Sequence, residues 1–194
     1  MTEKKITIRI ADTEDAVELL KIYRPYVTDT AISFEYKVPT VQEFAGRIEN
    51  ILKKYPYLVA ECAGEIIGYA YAAPFKERAA YDWSVETTIY IRMDCRQSGV
   101  GRKLYIKLEE LLKKQGVLNM NACIAWPEKE DERLTMASIY FHEKLGYQMV
   151  GKFHKSGYKF NRWYDMVWME KLIGAHTDAQ LPMQPFSQLS DMVL

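Results

Sequence analysis

The 194 residues of this chain include 26 basic and 26 acidic side chains, so the formal net charge is zero. Such a chain has no overall attraction for nucleic acid or for an anionic membrane, and any anion must be bound by a local site. Its hydrophobic residues, 48% of the total, suffice for one core, whereas no apolar run is long enough to cross a bilayer.

The three cysteines, Cys62, Cys95 and Cys123, are odd in number and far apart in the sequence. That pattern suits neither a disulfide framework nor a zinc site, and it is typical of a protein in a reducing compartment. The first residues lead into an alternating strand and not into an apolar signal segment. We therefore expect a cytoplasmic protein that holds no metal.

Alternating apolar residues predict strands, and apolar residues spaced by three and four predict helices. In chain order the pattern is β-α-α-β-β-β-α-β-α-β-β. Asp12 and a capping box from Thr40 to Glu43 mark the starts of the first two helices, and Gly116 and Gly146 mark the ends of the other two. The predicted strands are residues 7–10, 57–61, 66–73, 84–93, 119–125, 147–154 and 163–171.

This order of elements predicts an α/β fold, in which a mixed sheet is covered by helices on its faces. We assign residues 1–173 to a single domain. Residues 174–194 contain Pro182 and Pro185 and have no apolar periodicity, so we expect a tail that lies on the surface or is partly disordered.

A glycine-rich turn, Arg96-Gln97-Ser98-Gly99-Val100-Gly101-Arg102, joins the fourth predicted strand to the third helix. Glycine lets the backbone approach an anion, and the N–H groups in the first turn of a helix have no partner within the helix. With the positive end of the helix dipole, these donors favour a pyrophosphate. On its own, the turn is equally compatible with an ordinary strand-to-helix connection.

Two common phosphate motifs do not fit this turn. A nucleotide-hydrolysing P-loop has Gly-Lys followed by Ser or Thr, whereas Gly101 is followed by Arg102 and Lys103. The dinucleotide fingerprint has a third glycine where this chain has Leu104.

The turn and four longer stretches are similar to the GCN5-related N-acetyltransferase (GNAT) superfamily, and within it to the phosphinothricin acetyltransferase-like branch. The matching stretches are residues 75–83, 85–91, 96–101, 137–147 and 157–165. The resemblance implies a GNAT-like fold, with a mixed, mostly antiparallel sheet and helices on both faces. It also implies a homodimeric N-acetyltransferase that uses acetyl-CoA and acts on a small amino-acid-like amine, such as phosphinothricin or methionine sulfone or sulfoximine.

The same resemblance places coenzyme A along three parts of the chain. Its pyrophosphate would lie on the turn at residues 96–102, and its thioester beside the strand backbone at Ile89, Tyr90 and Ile91. Thr135 and Ser138 would contact it near the start of the fourth helix. The family usually carries Asn at the position of Thr135, and this chain also has a longer, acidic loop at residues 125–133.

Two residues are candidates for proton transfer. Glu86 lies at the position of the family's general base, and its strand neighbours alternate so that it shares a face with Thr88 and Tyr90. The alternative is a partly solvated strand residue that pairs with a nearby cation. His142 takes the place of the tyrosine that many relatives use to protonate the leaving thiolate; the alternative for it is a structural histidine bonded to backbone or water.

The acceptor is expected to contact two separate segments. Lys76 and Arg78, two residues apart, could hold a carboxylate or phosphinate beside Tyr81, and their alternative is a solvated basic turn. Phe34 and Glu35, between the first two helices, are expected to wall the acceptor pocket. Lys159 and Arg162 are further candidates there.

Two other functions remain open at this level. One is an acyl-CoA-binding or sensing domain with little transferase activity, which the Thr135 departure and the acidic loop allow. The other is a transferase for peptide or protein amines. The fold by itself does not name the acceptor.

Overall fold

The computed structural model describes residues 5–189. It contains a seven-stranded sheet in the order β1-β2-β3-β4-β5-β7-β6, in which only β4 and β5 run parallel. The strands are β1 (Ile6–Ile10), β2 (Tyr57–Cys62), β3 (Glu65–Pro74), β4 (Ser84–Ile91), β5 (Asn119–Trp126), β6 (Gln148–Lys159) and β7 (Arg162–Leu172). The helices are α1 (Ala16–Thr28), α2 (Val41–Leu52), α3 (Val100–Gln115) and α4 (Ala137–Lys144).

Both faces of the sheet are covered, as the predicted α/β fold requires. Tyr57 and Val59 of β2 pack with α1 and α2, whereas Leu58 and Ala60 of the same strand pack with α3. Successive side chains of a strand point to opposite faces, so one strand contributes to two cores. The fold class predicted from the sequence is confirmed.

The helix starts follow the predicted capping residues with small differences. At Thr40 the capping box is confirmed, because Glu43 N–H donates to the Thr40 hydroxyl at 3.2 Å and Thr40 N–H donates to the Glu43 carboxylate at 2.7 Å. Asp12 caps a short 3₁₀ turn, Thr13–Asp15, that precedes α1. The last helix begins at Ala137.

The last two strands form a longer hairpin than the sequence predicted. β6 continues to Lys159, past the predicted end at His154, and includes an irregularity between Phe153 and Gly157. Its side chains are mostly exposed, so the alternation that marks a half-buried strand is absent from the sequence. Phe160 and Asn161 make the turn to β7, both with positive φ, as a two-residue hairpin turn requires.

The segment after β7 lies back on the domain. Phe186 is 2% exposed and packs in the core beneath α3, and its N–H donates to the carbonyl of Lys54 at 3.0 Å. The Gln115 amide donates to the carbonyls of Lys54 and Gln184. Up to Leu189, the predicted tail therefore contributes a side chain to the core. Residues 190–194 lie outside the described part.

No helix within residues 5–189 is both long enough and apolar enough to cross a membrane.

Candidate active site

A crevice opens in the middle of the sheet where β4 and β5 part. The two strands pair only from Ser84 to Glu86, opposite Asn119 to Asn121, although both continue for several residues. Beyond these pairs lies a cavity of about 140 Å³. It is lined by Glu86, Thr88, Ile89 and Tyr90 of β4, by Cys123 and Ala125 of β5, and by Tyr105, Ser138 and His142.

The backbone of β4 presents one free donor to this crevice. The N–H of Arg92 donates to the carbonyl of Ile67, and the carbonyl of Ser84 accepts from the N–H of Phe75. The backbone N–H and C=O groups of the even-numbered β4 residues therefore point toward β3. The odd-numbered residues therefore face β5. Ile89 lies past the last β4–β5 pair, and its N–H points into the opening.

The other two predicted backbone contacts are occupied within the protein. Tyr90 faces β3 in the ladder described above. Ile91 is bound on both backbone groups by one side chain, because the Tyr26 hydroxyl donates to its carbonyl at 2.6 Å and accepts from its N–H at 3.2 Å.

The glycine-rich turn forms an open cradle at the start of α3. Gln97 and Gly99 have positive φ values of 62° and 81°. The helix begins without a side-chain cap or an acidic residue in its first turn, and the helical N–H of Lys103 is bonded to the carbonyl of Gly99 at 3.2 Å. The preceding N–H groups at Val100, Gly101 and Arg102 thus remain for a ligand.

Side chains around the cradle leave room for an anion. A Cβ placed on Gly99 would meet no atom within 4 Å. The Ser98 hydroxyl donates to the carbonyl of Cys95 at 2.6 Å, which closes the turn from the other side. Arg96 is exposed and its guanidinium lies 5.0 Å from the centre of the Tyr26 ring. The donors and the positive charge fit the diphosphate of a coenzyme.

Gly101 has a different reason to be glycine. A Cβ on it would come within 3.1 Å of the Phe141 ring and 3.4 Å of Ile89. The residue therefore allows α3 to approach both α4 and β4, which fixes the cradle next to the crevice.

Glu86 lies at the point where the two strands separate. It is half-buried, and this burial raises the pKa of its carboxyl above the usual range, while the positive charge of Lys76 acts in the opposite direction. Among residues 5–189 it has no ion-pair partner. A half-buried carboxylate with a raised pKa and no bound cation has the properties of a general base.

His142 belongs to a buried chain of polar groups. It is 3% exposed, and its Nδ1 lies 2.7 Å from the carbonyl of Ser138. A carbonyl only accepts, so Nδ1 carries the proton and Nε2 is an acceptor that lies 3.1 Å from the Tyr105 hydroxyl. Burial lowers the pKa of His142 to about 4, and the ring is therefore neutral at pH 7.

The chain continues from Tyr105 to β4 and β5. The Tyr105 hydroxyl also lies 3.3 Å from that of Thr87, which donates to the carbonyl of Asn121 at 3.1 Å, so the single Tyr105 proton goes either to Thr87 or to Nε2 of His142. The Tyr147 hydroxyl is also 3.1 Å from Thr87. These bonds tie α3, α4 and both strands together beneath the crevice.

A larger groove of about 850 Å³ opens on the face of the sheet that carries Glu86. The Asn121 amide donates to the Ser84 hydroxyl at 2.8 Å, so these two side chains share that face, and both line the groove. Its walls are mostly apolar. They include Phe75, Trp83, Phe153 and Trp168, together with Lys76 and Tyr81.

The predicted cations of the acceptor site differ in their surroundings. The Lys76 ammonium lies over the rings of Phe75 and Trp168, at 4.9 and 5.6 Å from their centres, and within the described chain it pairs with no carboxylate. Arg78 is exposed and does not line the groove. Lys76 is thus the cation that the structure brings to the groove.

Phe34 and Glu35 lie in the loop between α1 and α2 and do not line the groove; Phe34 packs instead with Ala125 and Leu134, which line the crevice. The Phe34 ring packs 6.1 Å from that of Tyr164, and Glu35 pairs with Arg47 at 2.7 Å. Thr135 accepts weakly from Ala137 N–H, at 3.4 Å, just before α4, whereas Ser138 lines the crevice.

Several residues of the site carry no local signal in the sequence. Tyr26, Tyr105 and Asn121 reach it from α1, α3 and β5, and a tyrosine at helical spacing is read as a core residue. The even spacing of Asn119, Asn121 and Cys123 on one predicted strand was the one available indication of a polar face.

Known proteins are similar to this chain over most of its length. A family model described as an acetyltransferase (GNAT) domain matches residues 8–168. The phosphinothricin N-acetyltransferase of Streptomyces viridochromogenes is 33% identical over 182 residues, which cover 94% of this chain and 92% of that protein. The L-methionine sulfoximine/L-methionine sulfone acetyltransferase of Pseudomonas aeruginosa is 34% identical, over 84% of this chain and 92% of that protein.

A solved structure extends the likeness to three dimensions. The GNAT phosphinothricin acetyltransferase from Sinorhizobium meliloti, in complex with AcCoA, aligns with a TM-score of 0.82 at 31% identity. The alignment covers 93% of this chain and 98% of that chain.

Proposed function

We propose, because this chain belongs to the GNAT family of acetyltransferases, that it transfers the acetyl group of acetyl-CoA to the amine of a small amino-acid-like acceptor. The family resemblance predicted from the sequence is confirmed. One observation carries the proposal: Glu86 and Ile89 line the same crevice, and the α3 cradle adjoins it where Gly101 lies against Ile89.

The cradle and the crevice would hold acetyl-CoA by its two ends. The N–H groups of residues 100–102 and Arg96 are suited to the diphosphate, and the Ile89 N–H is suited to the thioester carbonyl. Bound there, acetyl-CoA supplies the activated acyl group. The AcCoA in the Sinorhizobium meliloti relative supports this assignment.

The groove beside Glu86 would hold the acceptor. Lys76 is the free cation for its carboxylate or phosphinate, and the surrounding aromatic side chains suit an apolar carbon chain. Tyr81 lines the groove. Phe34 packs with Ala125 and Leu134, which line the crevice, so Phe34 and Glu35 would wall the acceptor on the crevice side, and Arg78 would add positive charge near Lys76. Relatives named for phosphinothricin and methionine sulfoximine support an amino-acid-like acceptor.

Glu86 would remove the proton that the attacking amine must lose. An α-amine with a pKa near 8 is mostly protonated at pH 7, so an acceptor for that proton is needed. The raised pKa of Glu86 brings the carboxylate closer to the pH of the reaction, which makes it a better base.

For His142 we propose a part in proton transfer through Tyr105. The neutral ring has its only N–H on the Ser138 carbonyl, so Nε2 serves as an acceptor for the Tyr105 hydroxyl. Tyr105 itself lines the crevice. His142 would therefore orient that hydroxyl and would not donate a proton of its own.

A thiol-release assay tests the function. Purified protein is given acetyl-CoA with phosphinothricin, methionine sulfone, methionine sulfoximine, the common amino acids or short peptides, and free CoA is measured. We expect release with at least one amino acid. Acetyl-CoA binding by calorimetry without release across the panel would instead indicate a sensing domain, and release with peptides alone would indicate a peptide transferase.

We also propose that the protein is a homodimer in the cytoplasm. Val150, Phe153 and Trp163 of the β6–β7 hairpin are all more than half exposed, and a second copy on this face would also cover the groove. Light scattering after gel filtration should give twice the mass of one chain. The Phe153→Asp variant should give the mass of a single chain. The three free thiols support a reducing compartment, which cell fractionation would test.

A further inference from the structure

Three consecutive residues of β6 hold the loop between α1 and α2, which we call the acceptor loop (residues 29–40). Phe34 lies against Gly157, where an added Cβ would come within 2.2 Å of the ring. The Tyr36 hydroxyl donates to the carbonyl of Tyr158. The Lys159 ammonium donates to the carbonyl of Thr30 at 2.8 Å and also to that of Ser33.

Lys159 is unusual among these contacts because it is a buried cation. The residue is 2% exposed, and no carboxylate of the described chain pairs with its ammonium. Glu35, the acidic residue that acts on it at longer range, is paired with Arg47. Burying a charge is costly unless its donors are bonded, so the two loop carbonyls are what allow Lys159 to stay inside.

A second loop is attached to the same hairpin. Asp131 of the acidic loop pairs with Arg162 at 2.6 Å and accepts the N–H groups of Arg133 and Leu134. The carbonyl of Arg133 accepts from Ala31 N–H at 3.0 Å, so the acidic loop and the acceptor loop are bonded to each other.

The turn of the hairpin is strained where these loops meet. Phe160 has a φ of 50°, which is rare for an aromatic residue. Two cations lie near its ring: the Arg133 guanidinium is 3.9 Å from the ring centre, and the Lys159 ammonium is 5.1 Å from it. Such a conformation persists only where the surroundings hold it, so the turn is a fixed support and not a loose end.

We propose that Lys159 is a positioning residue for the acceptor: by binding the carbonyls of Thr30 and Ser33, it sets where Phe34 and Glu35 stand beside the crevice. The inference rests on the proposed function, in which those two residues wall the acceptor pocket. It assigns to Lys159 an indirect role, because its ammonium is buried and is bonded to two loop carbonyls.

A lysine at position 159 does something that an apolar side chain could not do. An apolar residue of similar length would fill the same space without the cost of a buried charge, but it would impose no position on the two carbonyls. Two N–H donors of one ammonium, directed at the carbonyls of Thr30 and Ser33, restrict the loop conformation. Burying the ammonium is thus unfavourable by itself, but it fixes the conformation of the loop.

The test compares Lys159→Met and Lys159→Arg with Lys114→Met, which removes an exposed lysine from α3. We expect Lys159→Met to raise the acceptor KM roughly tenfold while the acetyl-CoA KM stays within about twofold. Lys159→Arg keeps the charge but changes the donor geometry, so it should give a smaller rise of the same kind. Lys114→Met should leave both constants unchanged.

Hydrogen exchange provides a readout that needs no turnover. Amides of residues 29–36 should exchange faster in both Lys159 variants, and amides of α3 should not change. If the wild-type protein acetylates nothing, the proposed function fails while this measurement still decides whether Lys159 fixes the loop.

Three results would overturn the inference. They are unchanged exchange in residues 29–36, an acceptor KM equal to that of wild type, or equal rises in both KM values. Should Lys159→Met fail to fold, Lys159→Arg supplies the same two measurements. Gly157→Ala displaces Phe34 and retains Lys159; a normal acceptor KM in that variant would also count against the proposal.

Discussion

The two ends of the β4–β5 strand pair differ in how their backbones are bonded. At Ser84–Glu86 the strands are bonded in register, and the Asn121 amide adds bonds to the Ser84 hydroxyl and the Val85 carbonyl. Beyond Glu86 the same strands separate, and Tyr105, Ser138 and His142 line the space between them.

This difference shows how a sheet can present backbone donors without exposing an edge. The paired end holds the two strands together, and the buried polar chain from His142 to Thr87 supports the open end from below. The Ile89 N–H is left without a partner only because its strand continues past the last pair. Four substitutions test the contrast.

At the open end, Glu86→Gln should have the largest effect. Removing the base should lower turnover roughly 10²- to 10⁴-fold, with acetyl-CoA affinity unchanged. Wild-type kcat/KM should rise with pH through the raised pKa of Glu86, since the base acts when deprotonated, and this limb should vanish in the variant. Glu143→Gln, on the exposed side of α4, is the control; an unchanged rate and pH profile would remove Glu86 from the mechanism.

Below the open end, His142 should make stability depend on pH. Its pKa is about 4 when folded and about 6.5 when unfolded, so the unfolded chain takes up the proton first as the pH falls. The stabilisation is complete above pH 6.5 and is lost between about pH 6.5 and 4, by about 3 kcal/mol in total.

Urea unfolding at several pH values measures this loss. His142→Gln should flatten the dependence in that window, whereas the exposed His176→Gln should not. The assignment of a buried neutral ring would be wrong if both variants followed the wild-type curve.

At the cradle, Gly99→Val should weaken coenzyme binding roughly tenfold to hundredfold, because the side chain enters the space next to the free N–H groups. Gly64→Val is a matched control. Gly64 has the same φ of 81° and equally open surroundings, but it lies in the β2–β3 turn. Equal CoA affinities of the two variants, measured by calorimetry, would show that only backbone strain is involved.

At the paired end, Asn121→Ala should have the smallest effect. It removes two neutral hydrogen bonds and should cost about 1 to 2 kcal/mol of unfolding free energy. Asn50→Ala, on the surface of α2, is the control and should cost less. A loss of turnover as large as that of Glu86→Gln, without a loss of stability, would place Asn121 in the reaction itself.

The sequence predicts the local parts of the site well. The glycine-rich turn, the alternation around Glu86 and the capping box at Thr40 each depend on neighbours within a few residues, and the structure has them where they are predicted. The roles of Glu86, His142, Lys76 and Arg78 stay predictions. Arg78 shares a motif with Lys76, yet it is exposed and does not line the groove, since spacing does not fix which way a loop residue turns.

What the sequence determined by itself was the order of elements, the fold class and the family, because periodicity and contiguous motifs are encoded between near neighbours. Only the tertiary structure shows that the Tyr26 hydroxyl bonds the backbone of Ile91, that Phe186 of the tail enters the core, and that Lys159 binds the acceptor loop. Each of these contacts joins residues far apart in the chain. They exist because folding brings separate elements to one place, where apolar side chains are buried together and a buried polar group is costly without a partner.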